Sequence, residues 1–195
     1  MNKLILETQI SIDGFIADKN GSTDWMIWNW GPEWTWDEDL QKYHTDLNKS
    51  ASTIIISSQM AKEGFNAHWQ AAASDPNDKR YQFAHHIHHA SKYVASTTLT
   101  KEVEIPGGWD KTNILNGDLK ESITALKKSA SGNMIVYGGA TLLANLINED
   151  LIDEYHLIVN PVAIGSGLSI FKKRKQLKLI KSTPFACGVV VNQYA

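Results

Sequence analysis

The sequence contains one cysteine, Cys187, among its 195 residues. No disulfide can form within the chain, and a reducing, cytoplasmic setting is the expected one. A chain of this length buries roughly 70% of the surface its unfolded form exposes, so it needs no covalent staple. Cys187 is read as a small packed residue. No stretch of about eighteen consecutive apolar residues occurs, which excludes a helical membrane span. Glu7 interrupts the first apolar run before it could serve as a secretory segment. An excess of one charge is also missing. The 19 Lys+Arg and 21 Asp+Glu leave −2, which argues against a general nucleic-acid coat and leaves a small molecule as the expected partner. There is no cysteine pair and no H-E-x-x-H. His85 and His89 share a helical face but lack a third ligand, so they are read as a solvated helix end and no metal is assigned. The basic run Lys172 to Lys175 is read as solvated surface. With no repeat, low-complexity tract or linker, residues 1–195 are read as a single domain.

What the sequence does hold is tryptophan, seven in all, with Trp25, Trp28, Trp30, Trp34 and Trp36 crowded into one Gly/Pro-containing segment. Around that segment strands and helices alternate. Asn2 to Ile12 suits a strand, and Asp13-Gly14 marks a turn before Phe15-Ile16-Ala17. Leu40, Tyr43, His44 and Leu47 fall at helical spacing within Asp37 to Asn48. Thr53 to Ser57 reads as a buried strand, Asp78 to Ala90 as a helix and Lys92 to Ser96 as a strand. Thr112 to Leu115, Asn133 to Tyr137 and Tyr155 to Asn160 read as further strands, with helices over Leu119 to Ser129 and Thr141 to Asn148. The ends at Leu177-Leu179 and Val189-Val191 read as a closing hairpin. The pattern predicts a three-layer α/β fold whose sheet is mostly parallel, with an antiparallel C-terminal hairpin.

Chemistry concentrates where the strand Met134 to Tyr137 runs through Gly138-Gly139 into a helix at Ala140-Thr141-Leu142. Two glycines at such a turn let backbone approach a ligand, and the helix start offers free N–H groups and a positive dipole end to a phosphate. The G-x-G-x-x-G fingerprint is absent, so a plain tight turn fits these residues as well. Asp13 admits both a turn-capping and a catalytic role. Asp37, Glu38 and Asp39 are what any helix N-terminus prefers, and Asp39 is also a candidate acid. For the tryptophans, core packing stands beside a second reading in which Trp25, Trp28 and Trp30 stack a planar heterocycle in a substrate pocket.

Several segments taken together are similar to one known family. These are Gly138-Gly139-Ala140-Thr141-Leu142, Leu151-Ile152-Asp153-Glu154-Tyr155, Pro161-Val162 and Gly165-Ser166-Gly167 with Phe171, then Gln9 to Ala17, Lys92 to Leu99, Asn116 to Leu119 and Phe185 to Tyr194. They resemble the reductase half of the bifunctional riboflavin-biosynthesis deaminase-reductase, whose fold is that of dihydrofolate reductase. The resemblance implies an eight-stranded sheet and an NADPH-dependent reduction like that of 5-amino-6-(5-phosphoribosylamino)uracil. Dihydrofolate reduction, or a non-catalytic nucleotide-binding scaffold of the same fold, is the alternative. By position, Gly138, Gly139, Ala140, Thr141 and Leu142 would hold the pyrophosphate. Ser96, Thr97 and Thr98 would lie near the adenosine side and Ala17 near the nicotinamide. Asp39 would stand where dihydrofolate reductases keep their acid. The resemblance further implies a cis bond between Gly138 and Gly139 and a homodimer formed through the C-terminal strands. One departure matters: where relatives carry Gly-Arg to bind the 2′-phosphate, this chain has Ser57-Ser58, so NADH is admitted as a cofactor beside NADPH. The serine hydroxyls, or a nearby Lys62 or Arg80, are the groups that could stand in part for it.

Overall fold

A computed structural model describes all 195 residues. The chain runs β1 (Leu4–Ile10), α1 (Glu38–Lys49), β2 (Ala51–Ser57), α2 (Ser58–Lys62), α3 (Phe65–Ala73), α4 (Tyr81–His89), β3 (Ser91–Ala95), β4 (Thr112–Leu115), α5 (Leu119–Ser129), β5 (Asn133–Tyr137), α6 (Ala140–Asn148), β6 (Glu154–Val159), β7 (Leu179–Pro184) and β8 (Val190–Tyr194). One eight-stranded sheet has the order β4-β3-β2-β5-β1-β6-β8-β7. Strands β1 to β6 pair in parallel, and β8 joins β6 and β7 antiparallel. The expected fold is therefore the observed one. Helices α2 and α3 have no counterpart in the sequence reading: α2 is a single turn, and α3 opens after Gly64 in a left-handed conformation with no side-chain cap to announce it. No helix is long and apolar enough to cross a membrane.

Side chains alternate across each strand, so the sheet has two apolar faces with separate cores. Leu4, Leu6, Met134 and Val136 point to the face covered by α5 and α6, where Ile123, Leu143 and Leu146 meet them. Ile5, Ile54, Ile56 and Ile135 point to the other face, covered by Leu40 of α1, by Trp69 of α3 and by Phe83 and Ile87 of α4. Trp28, Trp34 and Trp36 belong to this second core. The same alternation gives Glu7 and Tyr137 to the α1 face. They follow the paired residues Leu6 and Val136 on adjacent strands, and Glu7 is in register with His156 of β6.

Helix α4 ends without a left-handed cap, and Lys92 supplies the missing donors. Its buried ammonium gives hydrogen bonds to the carbonyls of Ile87 (2.9 Å), His88 (3.0 Å) and Ala90 (3.0 Å). Methionine would keep the stem's packing and leave those carbonyls without their donor, at a cost of about 1–3 kcal/mol. Lys92→Met is expected to lower the urea midpoint accordingly with an unchanged m-value. An unaltered midpoint would show that water replaces the ammonium.

Candidate functional site

In parallel sheets with helices on both faces, ligands bind beyond the carboxyl ends of the strands. Here those ends frame a cleft of about 1060 Å³. Its walls include Ser57 and Ser58 after β2, Ser96, Thr97 and Thr98 after β3, and the whole run Gly138 to Leu142 after β5. Ala17 closes it from the loop after β1. The sequence-assigned cofactor residues thus meet in one place although they come from four separate segments.

The turn after β5 has the properties a phosphate needs. Gly139 is the N-cap of α6, with φ −76° and ψ 173° and no side-chain cap. The first intrahelical-type bond runs from Leu143 N–H to the Gly139 carbonyl, so the N–H groups of Ala140, Thr141 and Leu142 are left for a ligand. A Cβ built on Gly139 meets nothing within 4 Å. Its backbone angles suit any residue, so what glycine keeps open there is space in the cleft. The peptide between Gly138 and Gly139 is not cis, since the chain has no cis bonds. The extended conformation of Gly139 carries strand into helix through a trans link.

The glycine loop after β6 positions Ala17. Leu168 N–H donates to the Ala17 carbonyl at 2.8 Å and Ile16 N–H to the Leu168 carbonyl at 2.9 Å. A Cβ on Gly167 would lie 2.1 Å from the Ala17 oxygen, so only glycine permits this approach. Asp13 anchors the same contact. Its carboxylate accepts the Gly165 N–H at 2.7 Å, the Ile164 N–H at 3.2 Å and the Ser11 hydroxyl at 2.6 Å. The Ser11 hydroxyl and those amides hold its carboxyl below the usual aspartate range.

Four of the sequence-assigned residues do not reach the cleft. Asp13 is occupied as described and lies outside the lining. Asp39 is exposed on α1, one position from the inward face of Leu40, His44 and Asn48. Its neighbour Asp37 does the capping, accepting the Leu40 N–H at 3.0 Å and the Cys187 N–H at 2.8 Å. Trp28 is 2% exposed and packs against Trp34 and Trp36, and its indole donates to the Gly31 carbonyl. Trp25 is half-buried away from the lining. Trp30 alone of the three lines the cleft. Its backbone has φ +60°, a strained conformation that costs about 1 kcal/mol or more, and the Arg80 guanidinium holds its carbonyl at 3.0 Å. Arg80 is otherwise committed to Asp78, through Nη2–Oδ2 at 2.6 Å and Nε–Oδ1 at 3.0 Å. It is buried, so it is not the cation that replaces the missing arginine at Ser58; Lys62 lies outside the lining as well.

Glu7 is a functional candidate that no motif in the sequence singles out. It is 2% exposed, lines the cleft, and has every oxygen engaged. His44 Nδ1 lies 2.7 Å from Oε1, while Tyr137 Oη (2.7 Å) and Asn48 Nδ2 (3.1 Å) lie against Oε2. Burial pushes the Glu7 carboxyl up, and the His44 ring and the Tyr137 hydroxyl more than offset this and hold it below the ordinary glutamate range. Burial and the Glu7 charge raise the Tyr137 phenol well above its usual value. The signal for Glu7 in the sequence is its parity: a glutamate between Leu6 and Thr8 in a central strand points to the same face as Ile5.

The comparisons with known proteins agree with this geometry. The model of the RibD C-terminal domain matches residues 2–191. The uncharacterized protein YyaP of Bacillus subtilis (strain 168) is 29% identical over 191 residues, 96% of this chain and 92% of that protein. A riboflavin-biosynthesis candidate from Shewanella sp. PV-4 superposes with a TM-score of 0.67 at 24% identity, covering 100% of this chain and 98% of that one. Dihydrofolate reductase from Enterococcus faecalis, solved with NADP(H), superposes with a TM-score of 0.56 at 12% identity over 98% of this chain and 95% of that one. The fold is the dihydrofolate reductase-like one, and the chain belongs to the RibD C-terminal domain family.

Proposed function

We propose that the protein is an NAD(P)H-dependent reductase of a small, nitrogen-containing heterocyclic substrate, with the ribosylamine reduced in riboflavin biosynthesis as the reference chemistry. The observation that carries this reading is the turn after β5, with Gly139 opening onto the cleft and the unpaired N–H groups of Ala140, Thr141 and Leu142 facing a ligand. A dinucleotide pyrophosphate fits that donor set. Ser96, Thr97 and Thr98 would receive the adenosine end, and Ala17, fixed by the Gly167 approach, the nicotinamide end. The bound dinucleotide supplies hydride, and the protein's share is orientation and exclusion of water. Trp30 offers an aromatic wall to a planar substrate. Family membership and the dihydrofolate reductase-like fold support the reading. Dihydrofolate reduction through an acid at Asp39 is disfavoured by the exposure of that side chain.

Parallel fluorescence titrations with NADPH and NADH test it. Trp30 borders the cleft, so either dinucleotide is expected to quench tryptophan emission saturably, with dissociation constants within about tenfold of each other, equivalent to about 1.4 kcal/mol, because no arginine stands at Ser57-Ser58 and Arg80 is committed elsewhere. Absence of binding by both at millimolar concentration would replace the reductase with a scaffold.

A further inference from the structure

Glu7, Tyr137 and Asn48 make hydrogen bonds whose protons can be counted. The Tyr137 oxygen lies 2.7 Å from Glu7 Oε2 and 2.5 Å from Asn48 Oδ1. The orientation of the Asn48 amide is fixed, because its nitrogen donates to the His44 carbonyl at 2.9 Å and to Glu7 at 3.1 Å. Both oxygens facing Tyr137 are therefore acceptors while Glu7 is ionised, and a phenol has one proton to give. The second contact is satisfied when Glu7 carries a proton on Oε2 and donates it to Tyr137, whose own proton then goes to Asn48.

His44 offers the same proton another place. Its Nδ1 faces Glu7, and its Nε2 is buried with no hydrogen-bond partner. Trp28, Trp34 and Trp36 stand nearly perpendicular to the imidazole, with centroids 5.3 to 6.2 Å away. The proton between the two residues thus has two positions, on His44 beside an ionised Glu7 or on Glu7 beside a neutral His44, and the lowered Glu7 carboxyl makes the first the resting one. The other groups facing Glu7 are Tyr43 of α1, held in a hydrogen bond by His156 Nδ1, and His156 of β6, whose Nε2 lies 2.7 Å from Glu154.

We propose that Glu7 is the acid of the site, and that it donates to the substrate the proton it shares with His44. The proposal rests on the reductase reading. Reduction of a C=N or C=O bond places hydride from the dinucleotide on carbon and requires a proton on nitrogen or oxygen. The O–H bond of Glu7 breaks as the N–H or O–H bond of the product forms, and Glu7 is left as a carboxylate. Solvent returns one proton after release. Glu7 lines the cleft, and with both oxygens held by His44, Asn48 and Tyr137 its carboxyl must exchange one of these partners for the substrate to donate; those three are positioning residues that decide where its proton sits.

Two measurements test the proposal, one of them without any ligand. In the free protein, tryptophan fluorescence followed against pH reports the charge on His44 through the surrounding indoles, and infrared spectra report a protonated carboxyl. Glu7→Gln keeps the shape of the protonated acid and is expected to fold. It should abolish the infrared band and displace the fluorescence titration, and Tyr137→Phe should displace the titration while keeping the band. Coincident titrations and spectra in wild type and Glu7→Gln would overturn the proposal. In the second measurement, NADPH oxidation is followed with 5-amino-6-(5-phosphoribosylamino)uracil. Glu7→Gln is expected to lose ~10²-fold or more in rate, to keep its NADPH dissociation constant, and to lose the wild-type fall in rate as pH rises and the shared proton departs. A wild-type rate and pH profile in Glu7→Gln would equally overturn it. A wild type that binds NADPH and does not turn over this compound sinks the substrate assignment alone, and the ligand-free titration then decides on Glu7. A wild type that binds no dinucleotide sinks the reductase reading, and the proposal falls with it.

Discussion

Gly139→Val is expected to lower NADPH affinity by ~100-fold or more, equivalent to about 2.7 kcal/mol, with the unfolding transition nearly unchanged. The two halves of this result have separate causes. The backbone of Gly139 lies at φ −76°, which valine adopts without strain, and its Cβ would meet no protein atom within 4 Å. Stability has no reason to fall. The branched side chain would instead stand in the space beside the free N–H groups of α6, where overpacking against a bound pyrophosphate costs energy and breaks the donor geometry. Isothermal titration with NADPH, together with a denaturant curve, separates these effects. Wild-type affinity in the folded variant would place the dinucleotide elsewhere in the cleft.

Ser58→Arg is expected to raise the preference for NADPH over NADH by roughly tenfold to a hundredfold, since a charge-assisted hydrogen bond to a phosphate contributes about 1.5–3 kcal/mol. Ser58 borders the cleft at the start of α2, and the Ser57 hydroxyl already accepts the Met60 N–H at 3.2 Å as that helix's cap. A guanidinium at residue 58 would thus enter without displacing a structural contact. Arg80 is the rival for this role, and its bonds to Asp78 and to the Trp30 carbonyl remove it. The measurement is the pair of dissociation constants for each variant. A parent protein already selective for NADPH by several hundredfold would mean that another cation, of which exposed Lys172 at the cleft is the one present, reads the phosphate.

The parts of this fold that were legible in sequence are those where local pattern and tertiary role coincide. The isoleucines of β2 and the run Met134 to Tyr137 are apolar because both of their faces are buried, and α1, α5 and α6 carry an apolar stripe that needs only one covering sheet. Helix α3 was not legible: Phe65 and Trp69 are placed by the core they enter, and nothing in their own neighbourhood marks a helix start. The site divides in the same way. The Gly138-Gly139 turn is a property of adjacent residues and could be read. Glu7 could be given a face by its parity but not a role, because its partners His44, Asn48 and Tyr137 are brought to it by strand order. Asp39 misled for a related reason, since acidic residues at a helix start look alike whether they cap, as Asp37 does, or face solvent.

The position of β1 has a consequence for how the molecule comes to be. Residues 4–10 form the strand between β5 and β6, so both of the neighbours that pair with the first strand made belong to the last third of the chain. Until those strands exist, Leu4, Leu6 and Ile10 have no sheet to join, and the carboxylate of Glu7 has no Tyr137 beside it. Closing loops of this length precedes the contacts that reward them, which makes folding slow and late rather than progressive along the chain. The apolar N-terminal segment spends synthesis exposed, when a nascent chain is open to mispairing and to capture by chaperones. The glutamate in the middle of that segment therefore sets a charge among hydrophobic residues during the interval in which they are most prone to stick to one another.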